Sequence, residues 1–148
     1  MDYVQDHFLR ALYAASSEAV IFTDTDAVVL EVNEATRVLY GFSDADIVGH
    51  HASRIYTHYS EYESALNRGF NFETPTTIED TTFRYRRKDG TEFLGQLTGC
   101  RVMDGEGRHC GYIGVIRDVT LLVEAERQRA ALKKAIDAAL DSLSLIHI

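Results

Sequence analysis

The sequence holds one proline, Pro75, and two cysteines, Cys100 and Cys110. Two cysteines cannot staple a disulfide framework. They flank a turn and could face each other across it, or stay apart as reduced thiols, the commoner state in a reducing compartment. No hydrophobic run approaches the length of a membrane span. The opening MDYVQDHF carries acids and no apolar stretch, so it does not read as a secretory signal and a cytoplasmic setting is expected. A longer parent chain could still cross a membrane elsewhere. Positive charge is also short. The formal net charge of −8 argues against a nucleic-acid footprint. There is no G-x-S-x-G elbow, H-E-x-x-H pair, phosphate-binding loop or dinucleotide fingerprint, and the acids are dispersed. These gaps argue against an enzyme. His50-His51 is an adjacent pair whose rings diverge, which suits no metal, and His7, His109 and His147 have no visible partners.

What is present is enough chain, 148 residues, for one domain with a real core and extensions. The most informative stretch is Thr81 to Thr120. Lys88-Asp89-Gly90 marks one tight hairpin, with both Asp89 and Gly90 suited to positive φ. Asp104-Gly105-Glu106-Gly107 marks a second. Three long strands rich in β-branched and aromatic residues therefore form an antiparallel meander. Upstream, Asp2 to Ser16 places Val4, Phe8, Leu12 and Ala15 at helical spacing. Ala19–Asp24 and Ala27–Val32 read as two strands around an Asp24-Thr25-Asp26 turn. Asn33 suits an N-cap for a helix over Glu34–Tyr40 that Gly41 ends. Ser43 and Asp46 form a short capping box. One turn over His51–Arg54 and a helix over Tyr59–Arg68 follow, the latter sharing Tyr62, Ala65 and Leu66 on one face. Gly69–Thr77 reads as a loop.

The order helix, two strands, short helices, three strands, long helix predicts an α+β fold. It has a five-stranded antiparallel sheet with helices packed on one face. Three segments follow: a flanking helix over 1–16, a domain over 17–120 and a terminal helix over 121–148. In that last helix Leu122, Ala125, Arg129, Leu132, Ile136, Ala139, Leu143 and Ile146 alternate spacings of three and four. The seam predicts a parallel two-helix coil, weakened by Ala125, Ala139 and Arg129, and hence a homodimer. Val4, Phe8 and Leu12 are expected to join that interface.

Period-two alternation assigns Phe83, Tyr85, Phe93, Gly95, Leu97 and Gly99 to the inner face. Glycine inside a strand costs about 0.5–1 kcal/mol and wants a reason. Two reasons are open: aromatic rings (Phe22, Phe42, Phe83, Phe93, Tyr85 or Tyr112) lie over the glycines, or a small molecule does.

Arg86-Arg87-Lys88-Asp89-Gly90, Phe93, Asp104-Gly105, Gly111-Tyr112-Ile113-Gly114 and Arg117-Asp118-Val119-Thr120, in this order and spacing, resemble the C-terminal half of a PAS domain. Val32-Asn33-Glu34-Ala35 and Tyr40-Gly41-Phe42-Ser43 through Ile47-Val48-Gly49 extend the resemblance over roughly Ala11 to Thr120. It implies that Tyr112, Gly114 and Ile116 also face inward. The expected ligand-binding set is therefore Phe83, Tyr85, Phe93, Gly95, Leu97, Gly99, Tyr112, Gly114 and Ile116. It also implies a sensory and dimerising role upstream of an effector domain in the same parent chain, such as a histidine kinase or diguanylate cyclase. Asp118 and Thr120 would relay the signal, with Thr120 as the N-cap of the last helix. Flavin–cysteine photochemistry is not expected: the reactive Cys position is Ala52, and the flavin-facing Gln position is Ile116. Haem is not expected either, because the axial His position falls at Ser64 and His58 lies at the helix start.

Overall fold

A computed structural model describes residues 11–68, 70 and 81–146. Val4, Phe8 and most of the 69–77 loop lie outside the described residues. Two compact units divide after Asp118.

In the first unit, residues 11–15 are helical. Strands β1 (Ala19–Thr23) and β2 (Val29–Val32) follow. Then come helices α1 (Glu34–Tyr40) and α2 (Asp44–Ile47), a 3-10 turn (Ala52–Ile55) and α3 (Tyr59–Arg68). Strands β3 (Thr82–Arg86), β4 (Glu92–Met103) and β5 (His109–Asp118) complete it. The strands form one sheet in the order β2-β1-β5-β4-β3. Every neighbouring pair is antiparallel. The meander and the first hairpin are thus as expected; pairing of β1 with β5 joins them.

All three hairpins use one loop geometry. The first residue's N–H donates to the carbonyl four positions on: Asp24 N to Val28 O at 3.0 Å, Arg87 N to Thr91 O at 2.8 Å, Asp104 N to Arg108 O at 2.8 Å; the third loop residue's N–H donates back to the first residue's carbonyl. The third loop residue takes positive φ: Ala27 (62°), Gly90 (88°) and Gly107 (78°). This is a three-residue loop closed by a left-handed residue, not a two-residue turn. Two expectations change accordingly. Asp89 does not need positive φ; its carboxylate instead accepts from Thr91 N (2.9 Å) and Thr91 Oγ1 (2.6 Å). Ala27 belongs to the turn, and β2 starts at Val29. The register places Cys100 opposite Ile113, so Cys100 and Cys110 are not cross-strand partners. Both thiols are free and exposed.

Asn33 ties the first hairpin to α1. Its side-chain oxygen accepts from Thr36 N (3.1 Å), Thr36 Oγ1 (2.8 Å) and Val20 N (2.9 Å). Its amide donates to Tyr13 O (3.2 Å) and Glu18 O (3.0 Å). At 2% exposure, it satisfies both neighbours and itself. Gly41 closes α1 at φ 74°. Asp46 accepts from Ser43 N at 2.9 Å, the acidic half of the box read from sequence.

The core lies between the inner face of the sheet and the short helices. Burial alternates along β3 and β4, with Phe83, Tyr85, Phe93 and Leu97 inside. Helix α1 packs on β1 and α3 on β3. The other face keeps Arg84, Arg86, Thr98 and Cys100 exposed, while Ile113 and Val115 are half-buried.

The second unit is one helix, α4 (Thr120–Ile146). Val119 O accepts from Val123 N at 2.9 Å. That makes Val119 the cap and Thr120 the first helical residue, so the helix starts one position earlier than expected. Leu122, Leu132, Ile136 and Leu143 are each at least half exposed.

Candidate functional site

The inner face of the sheet borders a small, half-open cavity of about 40 Å³. Its floor is β1 (Ile21, Thr23), β4 (Leu97) and β5 (Tyr112, Gly114, Ile116). Its walls are Ala27 from the first hairpin, and Ala52, Ile55 and Tyr56 from the 3-10 turn. Tyr62, Ala65 and Leu66 from α3, with Phe70, close it. The α3 face legible in the spacing of Tyr62, Ala65 and Leu66 is therefore the roof. Nothing among these side chains is charged, so the interior presents an apolar surface with a few hydroxyls.

Of the nine inward residues, the structure brings Leu97, Tyr112, Gly114 and Ile116 to the cavity. It places Phe83, Tyr85 and Phe93 instead in the packed core, at 4% exposure or less. Gly95 and Gly99 are covered by rings. A Cβ on Gly95 would meet Tyr85 Cε2 at 2.7 Å and Ile116 Cγ2 at 2.9 Å. A Cβ on Gly99 would overlap the Phe70 ring. Tyr85 was among the rings expected over the glycines; Phe70 was not. A third close approach was missed: a Cβ on Gly111 would overlap the carbonyl oxygen of Thr23, so glycine there lets β5 meet β1.

Aromatic packing fixes these walls. Tyr85 stacks on Phe93 (centroids 5.4 Å) and meets Tyr56 at 4.7 Å. Phe70 meets Tyr112 edge-on at 5.2 Å. Burial pushes the phenols of Tyr40, Tyr56 and Tyr85 upward, so all three stay protonated.

Room for about one or two waters is what 40 Å³ offers. Pockets for cofactor-sized ligands run to about 300–1,000 Å³. Ala52 lines the cavity where a thiol would be needed, and Ile116 offers no hydrogen bond. The residues present do not fit a flavin. Ser64 is half-buried, and His58 is exposed at the start of α3, where its carbonyl accepts from Glu61 N at 3.0 Å. Neither fits an axial haem ligand. No group of three or more His, Cys, Asp or Glu among the described residues could hold a metal.

At the end of β5, Asp118 Oδ2 lies 3.4 Å from Arg87 Nη2. Arg87 also donates to Leu39 O (3.1 Å) and Thr91 Oγ1 (3.3 Å), and covers the Phe93 ring at 4.7 Å. One guanidinium thus joins α1, the β3–β4 hairpin and the last residue of the first unit. Sequence reading assigned Asp118 a role and missed Arg87.

Comparison with known proteins agrees with this architecture. The PAS fold family matches residues 7–119. The C4-dicarboxylate transport sensor protein DctS of Rhodobacter capsulatus is 29% identical over 121 residues, 81% of this chain and 18% of that protein. The chain therefore spans about a fifth of that relative. Among solved structures, an RNA-binding light-oxygen-voltage receptor superposes with a TM-score of 0.71 at 24% identity, over 90% of this chain and 38% of that one. A PAS domain from Colwellia psychrerythraea gives 0.62 at 20%, over 80% and 98%. A PAS domain from a two-component sensor histidine kinase gives 0.59 at 19%, over 78% and 96%. With its helix-covered five-stranded sheet and a family match over three quarters of its length, the chain belongs to the PAS family.

Proposed function

We propose that this PAS domain is the sensory and dimerising module of a cytoplasmic signalling protein, a histidine kinase or diguanylate cyclase. It reads a small, largely apolar guest and passes the change through α4. The observation that carries this reading is the apolar cavity floored by Gly114 and roofed by α3, too small for a planar cofactor yet not filled by side chains. Ligand contacts fall to Leu97, Tyr112, Gly114 and Ile116 directly. Phe83, Tyr85, Phe93, Gly95 and Gly99 support them from the packed core. The dicarboxylate signal in the name of DctS does not suit this cavity: two carboxylates need cations, and the lining has none. No catalytic step is assigned to the domain.

Relay runs through Asp118 into Thr120. The Arg87–Asp118 contact supports this, because a shift of α1 or of the hairpin moves the group that holds Asp118. The output is a homodimer paired along α4. Exposed Leu122, Leu132, Ile136 and Leu143 support it, since burying each leucine-sized side chain contributes roughly 1.5–3 kcal/mol. Leu12, 54% exposed, is available to the same interface.

A second reading has its own support. The rings of Tyr85 and Phe70 cover Gly95 and Gly99, which suits a guest-free dimerisation module. Native mass spectrometry of freshly purified protein separates the two. A bound small mass is expected, and bare protein would favour the second. For the dimer, Leu132→Asp with Ile136→Asp should halve the mass in light scattering. An unchanged mass would remove the coil.

A further inference from the structure

A second hollow opens on the surface and shares no lining residue with the apolar cavity. It holds about 430 Å³, within the range of about 300–1,000 Å³ usual for small-molecule pockets. Its lining includes Phe42 and Asp46 from the start of α2, Arg54 from the 3-10 turn, Arg86 at the end of β3, and Arg87 and Lys88 from the β3–β4 hairpin. Four cations there face one carboxylate, in a chain whose net charge is −8.

Asp46 gathers two of the cations. Lys88 Nζ donates to Asp46 Oδ2 at 2.8 Å, and Arg54 Nη1 donates to Asp46 O at 2.9 Å. Each bond takes one donor of a head group that carries several. Arg86 is exposed, and its guanidinium has no hydrogen-bond or ion-pair partner among the described residues. Arg87 is committed to Leu39 O, Thr91 Oγ1 and Asp118 Oδ2, so it contributes charge. Like charges gathered in one concavity repel, and a single carboxylate does not offset four of them.

We propose that this hollow binds the diphosphate or triphosphate group of a small molecule. Its open donors come from three separate elements, the 3-10 turn, β3 and the hairpin, and so surround a tetrahedral anion of multiple charge. A lone carboxylate would be satisfied by one guanidinium fork. An acidic peptide spaces its carboxylates along a chain, whereas the heads of Arg54 and Lys88 meet at one residue. Phe42, half-buried and stacked on Tyr40 (centroids 5.9 Å, 17°), gives the organic body of the ligand a ring to lie on. Arg87 lines the hollow and also holds Asp118, so occupancy acts on the end of β5 without passing through the apolar cavity.

The test is calorimetric titration of the full chain at low salt with inorganic pyrophosphate and with ADP. Saturable binding is expected, weakened roughly tenfold or more in Arg86→Gln and in Arg54→Gln, each of which removes a charge-assisted hydrogen bond. Both side chains are exposed, so the variants should fold. Pyrophosphate should raise the thermal unfolding midpoint of wild type and leave that of Arg86→Gln unmoved. Arg84→Gln removes the same charge from the same strand outside the hollow and should bind as wild type does. ADP binding more tightly than pyrophosphate assigns the organic body to Phe42; equal affinities make the phosphates alone the recognised group. No saturable binding to wild type, or a loss in Arg84→Gln equal to that in Arg86→Gln, overturns the site. So does succinate or a hexaglutamate peptide that binds as tightly as pyrophosphate.

Discussion

Gly95→Ala is the substitution that most directly asks why glycine floors this sheet. The new Cβ would stand 2.7 and 2.8 Å from Tyr85 ring carbons and 2.9 Å from Ile116 Cγ2. Comfortable carbon contacts are about 3.5–4.0 Å, so the shortfall is a large part of an ångström on two sides. Neither neighbour can retreat to solvent: Tyr85 is 0% exposed and Ile116 2%. Overpacking of this kind costs about 1–3 kcal/mol. Replacing a strand glycine returns about 0.5–1 kcal/mol. The net expectation is a loss of about 1–2 kcal/mol, read from urea denaturation with an unchanged slope. Gly114→Ala is the control. Its nearest atom is Leu97 Cδ1 at 3.3 Å, a terminal methyl beside the cavity, so it should stay within about 0.5 kcal/mol of wild type. Shrinking the ring should relieve the clash, so Gly95→Ala with Tyr85→Leu should cost less than the sum of the two. A Gly95→Ala protein as stable as wild type, or a Gly114→Ala protein equally damaged, would refute the claim that Tyr85 dictates the glycine.

Other sites give independent checks. Asn33→Ala strands the Val20 and Thr36 donors in a buried setting and should cost about 2–4 kcal/mol by chemical denaturation; Asn33→Asp should recover part, since a carboxylate still accepts from both. Asp46 should govern part of the acid response. Its hydrogen bond from Lys88, with those from Ser43, lowers its pKa from 3.8 to about 2. A depressed folded pKa stabilises above the unfolded value and loses that contribution as pH falls through the folded one. The stability gap between wild type and Asp46→Asn should therefore be full above 3.8 and close toward 2; a gap constant across that window would exclude the linkage.

How much of this was legible in the chain differs by level. Alternation placed Phe83, Tyr85, Phe93, Gly95, Leu97 and Gly99 on the inner face, because a pleat has a period of two wherever the strand is regular. Caps were equally readable: Asn33, Gly41 and Asp46 act within a few residues of themselves. Hairpin detail was less so. Asp89 and Ala27 were misread because a three-residue loop needs positive φ at its third residue alone, and nothing local counts loop residues. Ala27 holds that conformation without glycine, while Asp24 Oδ1 accepts from Asp26 N (2.8 Å) and Val28 N (3.0 Å).

The cavity was the hardest to foresee, for a reason that Phe70 makes plain. Glycines in β4 announced that something bulky lies above them, but strand periodicity cannot say what. Tyr85 could be guessed, since it sits one strand away and its partner register is set by the hairpin. Phe70 arrives from beyond α3, and its contact with Gly99 depends on how the helix packs across the sheet, which no spacing encodes. The same holds for Tyr56, whose bridge to Tyr85 links the 3-10 turn to the sheet edge. What remains open between these rings, about 40 Å³, is a remainder set by several long-range packings at once. A remainder of that kind changes when any one ring moves. It follows that the size of this cavity is governed by the aromatic rings around it, Phe70 and Tyr56 above all, more than by the glycine floor that first pointed to it.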